Sequence, residues 1–250
     1  MKKIVLFITC GLLIGSVVMA QDSSLVVPAL RVPPPKKQNI NLSNRANDHF
    51  MIQLGYAGWA GKPDSIITGG ISKVLNFYFM FDFPFKTNPR LSMAFGPGIS
   101  SDQIGLNKSY VGLKDNTSQL AFSDKSDTNH FKRVKLAMTY AELPVEFRYT
   151  SDPVNAGKSF KAAIGLRVGT MLNAHTKNKT YETASGSTLL DYTMKESSKK
   201  FFNTTRLSAI ARVGYGHFTL FGSYQITTLL KEGVGAEIRP FSIGLNLSGL

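Results

Sequence analysis

Residues 75 to 83 read LNFYFMFDF, with Leu75, Phe77, Phe79, Phe81 and Phe83 in every second position and Asn76, Tyr78, Met80 and Asp82 in the gaps. Strict alternation belongs to a strand with two different faces, because successive side chains leave a pleated backbone on opposite sides. The same period recurs in eight segments: 50–59, 71–84, 91–100, 134–149, 160–172, 205–215, 217–228 and 239–250. Phe50, Ile52, Leu54 and Tyr56 share a face in the first, and Phe160, Ile164, Leu166 and Val168 in the fifth. Phe241, Ile243, Leu245 and Leu247 do so in the last. In the fourth segment, Leu136, Met138 and Tyr140 are out of phase with Leu143, Val145, Phe147 and Tyr149. This predicts a β-bulge near Tyr140–Ala141 that brings both sets to one face, with further disruption at Pro144, which has no N–H to donate.

The connections alternate long and short. About eleven residues follow the first segment, a KTNPR turn the second, residues 101–133 the third, an SDPVNAGK turn the fourth and residues 173–204 the fifth. Gly216 alone separates the sixth and seventh segments, and about ten residues precede the eighth. This is the rhythm of an up-and-down meander with short turns at one end and longer, solvated loops at the other, as in outer-membrane barrels.

Two closed barrels fit eight such strands: a soluble one with its apolar face inside, and a membrane one with that face against lipid. Side-chain size separates them, since an eight-stranded lumen is narrow. The non-aromatic face carries Gly55, Ala57, Ser92, Ala94, Gly96, Gly98, Gly165, Gly169, Ser208, Gly214, Ser242 and Gly244. Small residues suit the concave side, so the phenylalanines point outward. Glu142, Glu146, Arg148, Lys161, Arg167 and Arg212 fall on the small-residue face. A basic side chain aimed at the bilayer midplane costs roughly 2–4 kcal/mol, whereas acids and bases pointing inward neutralise each other. These residues, with Asp82, are expected to form a structural polar network filling the lumen; a proton or substrate relay is the functional alternative. No stretch after residue 20 reaches the ~20 apolar residues of a spanning helix. The expected fold is therefore all-β, an eight-stranded antiparallel up-and-down transmembrane β-barrel over residues 49–250.

The N-terminus changes the picture of location. MKK precedes the apolar run IVLFITCGLLIGSVVMA, which ends in small residues. Residues 1–20 read as a secretory signal peptide with Val18-Met19-Ala20 at the cleavage site, the alternative being an N-terminal membrane anchor. Residues 21–48, with Pro28, Pro33, Pro34 and Pro35, read as a periplasmic tether. The single cysteine, Cys10, leaves with the signal, which excludes disulfides and cysteine metal sites from the remainder. The formal net charge of +13 becomes +11 once Lys2 and Lys3 are removed. No helix with a basic stripe accompanies it, so nucleic acid is not an expected partner.

The order of four segments carries a resemblance. DHFMIQLGYAGW (48–59), FYFMFDFPFK (77–86), YAELPVEFRY (140–149) and the closing FTLFGSYQITTLLKEGVG…RPFSIGLNL are similar to outer-membrane β-barrel proteins of the PorT type, widespread in Bacteroidetes-like bacteria. The resemblance covers residues 48–250 and implies an eight-stranded barrel in the outer membrane of a diderm bacterium. One member lends its name to a type IX secretion role, which is not transferred here.

Catalytic chemistry finds little support. His49, His130, His175 and His217 are scattered, with no second ligand at a metal spacing, and there is no phosphate loop or dinucleotide fingerprint. No cofactor is expected. Trp59, Tyr56, Tyr140, Tyr149, Tyr215 and Tyr224 are candidates for aromatic girdles at the membrane interfaces. The expected function is that of a structural or interaction barrel, in contact with membrane lipid and with a periplasmic or secretion-system protein. A small-solute conduit and a rim-site enzyme are the alternatives.

Overall fold

The computed structural model describes residues 49–64 and 66–249, all within the compact unit Ile40–Leu250. The expected signal peptide and tether lie outside the described residues. Among the described residues there are thirteen strands and one short 3-10 turn: β1 Phe50–Ala60, β2 Lys73–Phe79, β3 Phe81–Pro84, β4 Leu91–Phe95, β5 Gly98–Leu106, β6 Ser109–Val111, β7 Phe122–Asp124, β8 His130–Thr150, β9 Phe160–Glu182, β10 Thr188–Ser197, β11 Thr205–Tyr215, β12 Phe218–Gln225 and β13 Arg239–Ser248. Every pairing is antiparallel. β1 pairs with β2, β2 with β5, β5 with β8, β8 with β9, β9 with β11, β11 with β12 and β12 with β13. The pairing of β13 with β1 closes a ring of eight. β3 and β4 continue β2 and β5 toward the short-turn end, and β4 also pairs with β8.

Closure needs a tightly curved inner wall. Gly55 and Gly244 face each other across the β1–β13 seam, where a Cβ on either would lie 2.3 or 2.2 Å from a carbonyl oxygen of the opposite strand. On the outside, Phe50, Leu54, Phe77, Phe81, Phe83, Phe95, Ile99, Leu143, Phe147, Leu166, Val168, Leu220 and Leu245 are all exposed. The bulky face is convex and the small-residue face concave, as expected. From Phe160 to Leu172 the outward band of β9 spans roughly 40 Å of strand at ~3.3 Å per residue. A tilt of about 40° makes this roughly 30 Å of height, the thickness of a hydrocarbon core.

Three expectations need correction. About half of 101–133 and more than half of 173–204 is strand rather than loop: β5 runs to Leu106, β6 and β7 pair, β8 starts at His130, β9 reaches Glu182 and β10 folds back on it from Thr188. β8 and β9 are 21 and 23 residues long. A spanning barrel strand needs only about 9–11, so about half of each stands beyond the apolar band.

The bulge lies on β9, not β8. Thr139 pairs with Asn173 and Tyr140 with Met171, leaving Leu172 as the extra residue. β8 keeps its phase throughout. Leu136, Met138 and Tyr140 are buried inside, whereas Leu143, Val145, Phe147 and Tyr149 point out. The two apolar sets never share a face because their surroundings differ. Beyond the band the outside is water, so the apolar side chains turn to the axis and polar ones turn out. Pro144 stays in register with Arg167 on the β9 side, and the disruption it causes appears on the other side. There Gly96 and Pro97 separate β4 from β5, and the ladder with β8 lapses.

Trp59 and Tyr140 are not girdle residues. Both are buried in a core under the long connections, with Leu106, Val111, Leu113, Leu136, Phe201, Phe202 and Leu230. Tyr56, Tyr149, Tyr215 and Tyr224 are exposed on the outer surface.

These two environments respond differently to substitution. Leu136→Ala, in the upper core, is expected to cost about 2–5 kcal/mol. Val145→Lys, at mid-band opposite Leu166, is expected to cost about 2–4 kcal/mol. Lys135→Ala, on the wet outer face, should stay within about 0.5 kcal/mol of the parent. Urea titration of the protein folded into lipid vesicles measures all three.

Candidate functional site

The inner wall below the upper core is a ladder of charged side chains in two tiers. The tier nearer the short turns is centred on Glu146 of β8, 1% exposed. Arg212 of β11 donates to it from Nε at 3.1 Å and from Nη2 at 2.5 Å. Arg148 donates from Nε to Glu146 Oε2 at 2.8 Å, and its Nη1 lies 3.8 Å from Asp82 Oδ1. Lys161 is buried beside Arg148, Arg212 and Thr219, around a cavity of about 20 Å³.

The second tier is centred on Glu142. Tyr78 donates its phenolic proton to Glu142 Oε2 at 2.7 Å and accepts from Arg167 Nη1 at 2.6 Å. Arg167 Nε lies 3.3 Å from the same carboxylate, and Nη2 donates to Ser223 Oγ at 3.2 Å. Ser223 and Ser242 are hydrogen-bonded at 2.8 Å, which ties β12 to β13. Arg206 Nη1 donates to Asp102 Oδ2 at 2.8 Å, lies 3.3 Å from Glu142 Oε1, and has its guanidinium over the Tyr140 ring at 4.6 Å.

The seven expected residues thus all lie on the inner wall. Asp82, Glu146, Arg148, Lys161 and Arg212 gather in one tier, and Glu142 and Arg167 in the other. Three further members lie outside those seven. Asp102 lies two residues beyond the expected end of the third segment, yet it continues the inward phase of Ser100 along β5. Arg206 precedes Ser208 and Arg212 in the same phase of β11. Tyr78 alternates with Asn76 in β2. Burying a charge is costly unless it is paired and hydrogen-bonded, and here four carboxylates meet five cations from five strands.

The hydrogen-bond partners of the four histidines lie outside this ladder. Nδ1 of His49 lies 3.0 Å from Met80 O, and that of His217 lies 3.1 Å from Ser248 O at the short-turn end. His130 Nδ1 lies 2.8 Å from Thr128 O, and His175 Nδ1 lies 3.2 Å from Asn173 Nδ2, both on the long-connection side. Partial burial, then the nearby Lys195 and Lys177, hold His175 below the usual imidazole range. Among the described residues, no group of three or more His, Cys, Asp or Glu side chains is arranged to hold a metal ion.

This architecture meets an independent comparison. The family model described as "Outer membrane protein beta-barrel domain" matches residues 37–227. The chain belongs to that family. Membership places the barrel in the outer membrane. Two solved structures of Ail, the attachment invasion locus protein of Yersinia pestis, are also similar, one of them in complex with the heparin analogue sucrose octasulfate. Each is 13% identical over 80% of this chain and 95% of the other, with TM-scores of 0.29 and 0.30. No curated protein matches the chain.

Replacing Glu146 by Gln leaves Arg148 and Arg212 facing each other in a dry wall. Removing one partner of a buried pair costs about 3–5 kcal/mol. Glu146→Gln is therefore expected to lower the melting temperature of the refolded barrel, and Glu146→Gln combined with Arg212→Met to recover part of the loss. An unchanged melting curve for Glu146→Gln contradicts a stabilising network.

Proposed function

We propose that this outer-membrane protein is a closed, non-conducting eight-stranded barrel that works as a scaffold. It holds the long β8–β9–β10 ribbon and the adjoining connections at the cell surface for interaction, and it is not an enzyme. The observation that carries the reading is the filling of the lumen. The charge ladder occupies the short-turn half, and the cavities that its residues line there, of about 20 and 10 Å³, have room for about one water each. The upper half is closed by an apolar core that includes Trp59, Leu113, Phe201 and Phe202. An ion crossing this path has to break the Glu146–Arg212 and Glu142–Arg206 contacts and then enter a dry apolar region.

The short turns face the periplasm in this reading, and the ribbon faces the exterior. The segment before residue 49 serves as a secretory signal followed by a Pro-rich tether, which reaches a periplasmic or secretion-system partner. The pairing of short periplasmic turns with longer outer connections in outer-membrane barrels supports that assignment of ends. Loops and extended strands on a rigid scaffold are where such barrels carry recognition.

Planar-bilayer recording of the full chain tests the proposal. A silent bilayer, with insertion verified independently by protease protection, is the expected result. Reproducible unitary current steps that are altered by Glu146→Gln or Arg212→Met overturn the scaffold reading and make the ladder part of a conduit.

A further inference from the structure

Above the apolar band, the outward face of the ribbon concentrates one sign of charge. Lys135 of β8 pairs with Lys177 of β9, which pairs with Lys195 of β10. The next row holds Arg133 and Lys179 directly opposite each other. Residues opposite in an antiparallel ladder share a face with Cβ atoms about 4.5–5.5 Å apart, and like charges so placed destabilise the sheet. None of these five cations forms an ion pair among the described residues. The acids of the ribbon are engaged elsewhere: Glu182 pairs with Lys132 at 2.9 Å, Asp191 accepts from Thr180 Oγ1 at 2.8 Å, and Glu196 lies in the opposite phase of β10 from Lys195. Partial burial lowers the basicity of His175 first, and Lys195 and Lys177 lower it further.

Position narrows the counterpart. Leu172 is the last outward aliphatic residue of β9, and His175, Lys177 and Lys179 follow it on the same outer side, below Tyr181. Five and seven residues at ~3.3 Å each place Lys177 and Lys179 roughly 16 and 23 Å along the strand from Leu172; at a tilt of about 40° this is roughly 13–18 Å above the edge of the band, in the outer headgroup layer and just beyond it. A cleft of about 420 Å³ adjoins the row. Gly69, Gly70 and Gly105 line it together with Lys132, Arg133 and Lys135, beside the exposed Ile71. Glycine walls let a ring approach the backbone closely, and the cations stand within reach of its charged substituents.

We infer that this cationic face, with its glycine-lined cleft, is a docking strip for the phosphate-bearing, sugar-containing headgroups of the lipid that surrounds the barrel. Phosphate oxygens lie between the Lys135–Lys177–Lys195 row and the Arg133–Lys179 row, relieving a repulsion that the free protein bears. The inference rests on the membrane placement of the band but not on the silence of the lumen, so a conducting barrel leaves it intact.

The test uses the full chain in zwitterionic detergent, with native mass spectrometry after adding a bisphosphorylated diglucosamine lipid or its dephosphorylated form. The parent protein is expected to retain the phosphorylated lipid at least tenfold better than the dephosphorylated one. K135Q/K177Q/K195Q together are expected to abolish that preference, whereas K62Q/K231Q leave it unchanged. Because the triple variant loses like-charge neighbours and no partner, its melting temperature without lipid should equal or exceed that of the parent, which separates lost binding from lost folding. Equal retention of both lipids, or an undiminished preference in the triple variant, overturns the inference. So does tight binding of a soluble sulfated oligosaccharide with no retention of the phosphorylated lipid, which assigns the strip to a free polyanion. Release of the lipid by millimolar inorganic phosphate also contradicts it, because isolated phosphate then suffices without the headgroup.

Discussion

Within hydrocarbon no water is available to satisfy a peptide group, so every backbone N–H and C=O must find its partner inside the protein. For a chain built of strands, the only solution is a ring without edges. The β13–β1 seam supplies it, and the rest of the structure follows from its geometry. A ring of this size has a narrow axis, which admits glycine, alanine and serine at close approaches such as Gly55–Gly244 and sends the aromatic rows outward. The polar atoms that remain inside must then satisfy one another. Glu146 between two guanidiniums, and Glu142 among Tyr78, Arg167 and Arg206, are how this sequence does so.

The second organising feature is the exchange of faces where the strands leave the band. Below about Tyr140 and Leu172, apolar side chains look out and charges look in. Above that level Val134, Leu136, Met138 and Ala174 look in, while Lys135, Lys177 and Lys179 look out. One rule produces both halves: the apolar face turns toward whatever is not water. On β9 the extra residue at Leu172 flips the phase of the chain at this transition. On β8 no flip occurs, and the residue types change instead. The same pair of strands thus reaches one end by two local routes.

How much of this was legible in the sequence depends on which signal each feature leaves. Alternation over residues 50–59, 71–84, 160–172 and 239–250 is strong because bulky and small residues differ greatly in size, and it identifies the strands and the side that faces out. The lumen charges Glu142, Glu146, Arg148, Arg167 and Arg212 stand out as ionisable residues in the small-residue phase. Asp102 does not, because the third segment loses its apolar rhythm after Ile99 while its backbone continues to Leu106; Arg206 shares the phase of Ser208 and Arg212 in β11 and was legible by the same signal. The outer extensions of β8 and β9 leave the weakest trace. There both faces contain polar residues, the wet face is basic, and alternation of apolar with lysine is easily taken for a solvated loop. The out-of-phase pair of apolar runs in β8 was visible, but its cause is a change of solvent along the strand, which a rule of constant surroundings turns into a bulge. Trp59 and Tyr140 were misplaced for the same reason: an aromatic near a membrane surface was assumed to face lipid, whereas each closes the core above it.

The orientation of the faces is most directly read by a fluorophore placed on one side chain at a time. The chain's only cysteine is Cys10, so single-cysteine variants in a Cys10→Ser background give unique labelling positions in lipid vesicles. The account predicts that a label at Leu166 or Val145 is quenched by brominated acyl chains and shielded from aqueous iodide, that one at Lys177 shows the reverse, and that one at Ser208 is reached by neither. Strong bromolipid quenching at Ser208 together with iodide quenching at Leu166 would mean that the barrel is turned inside out, and would contradict the account.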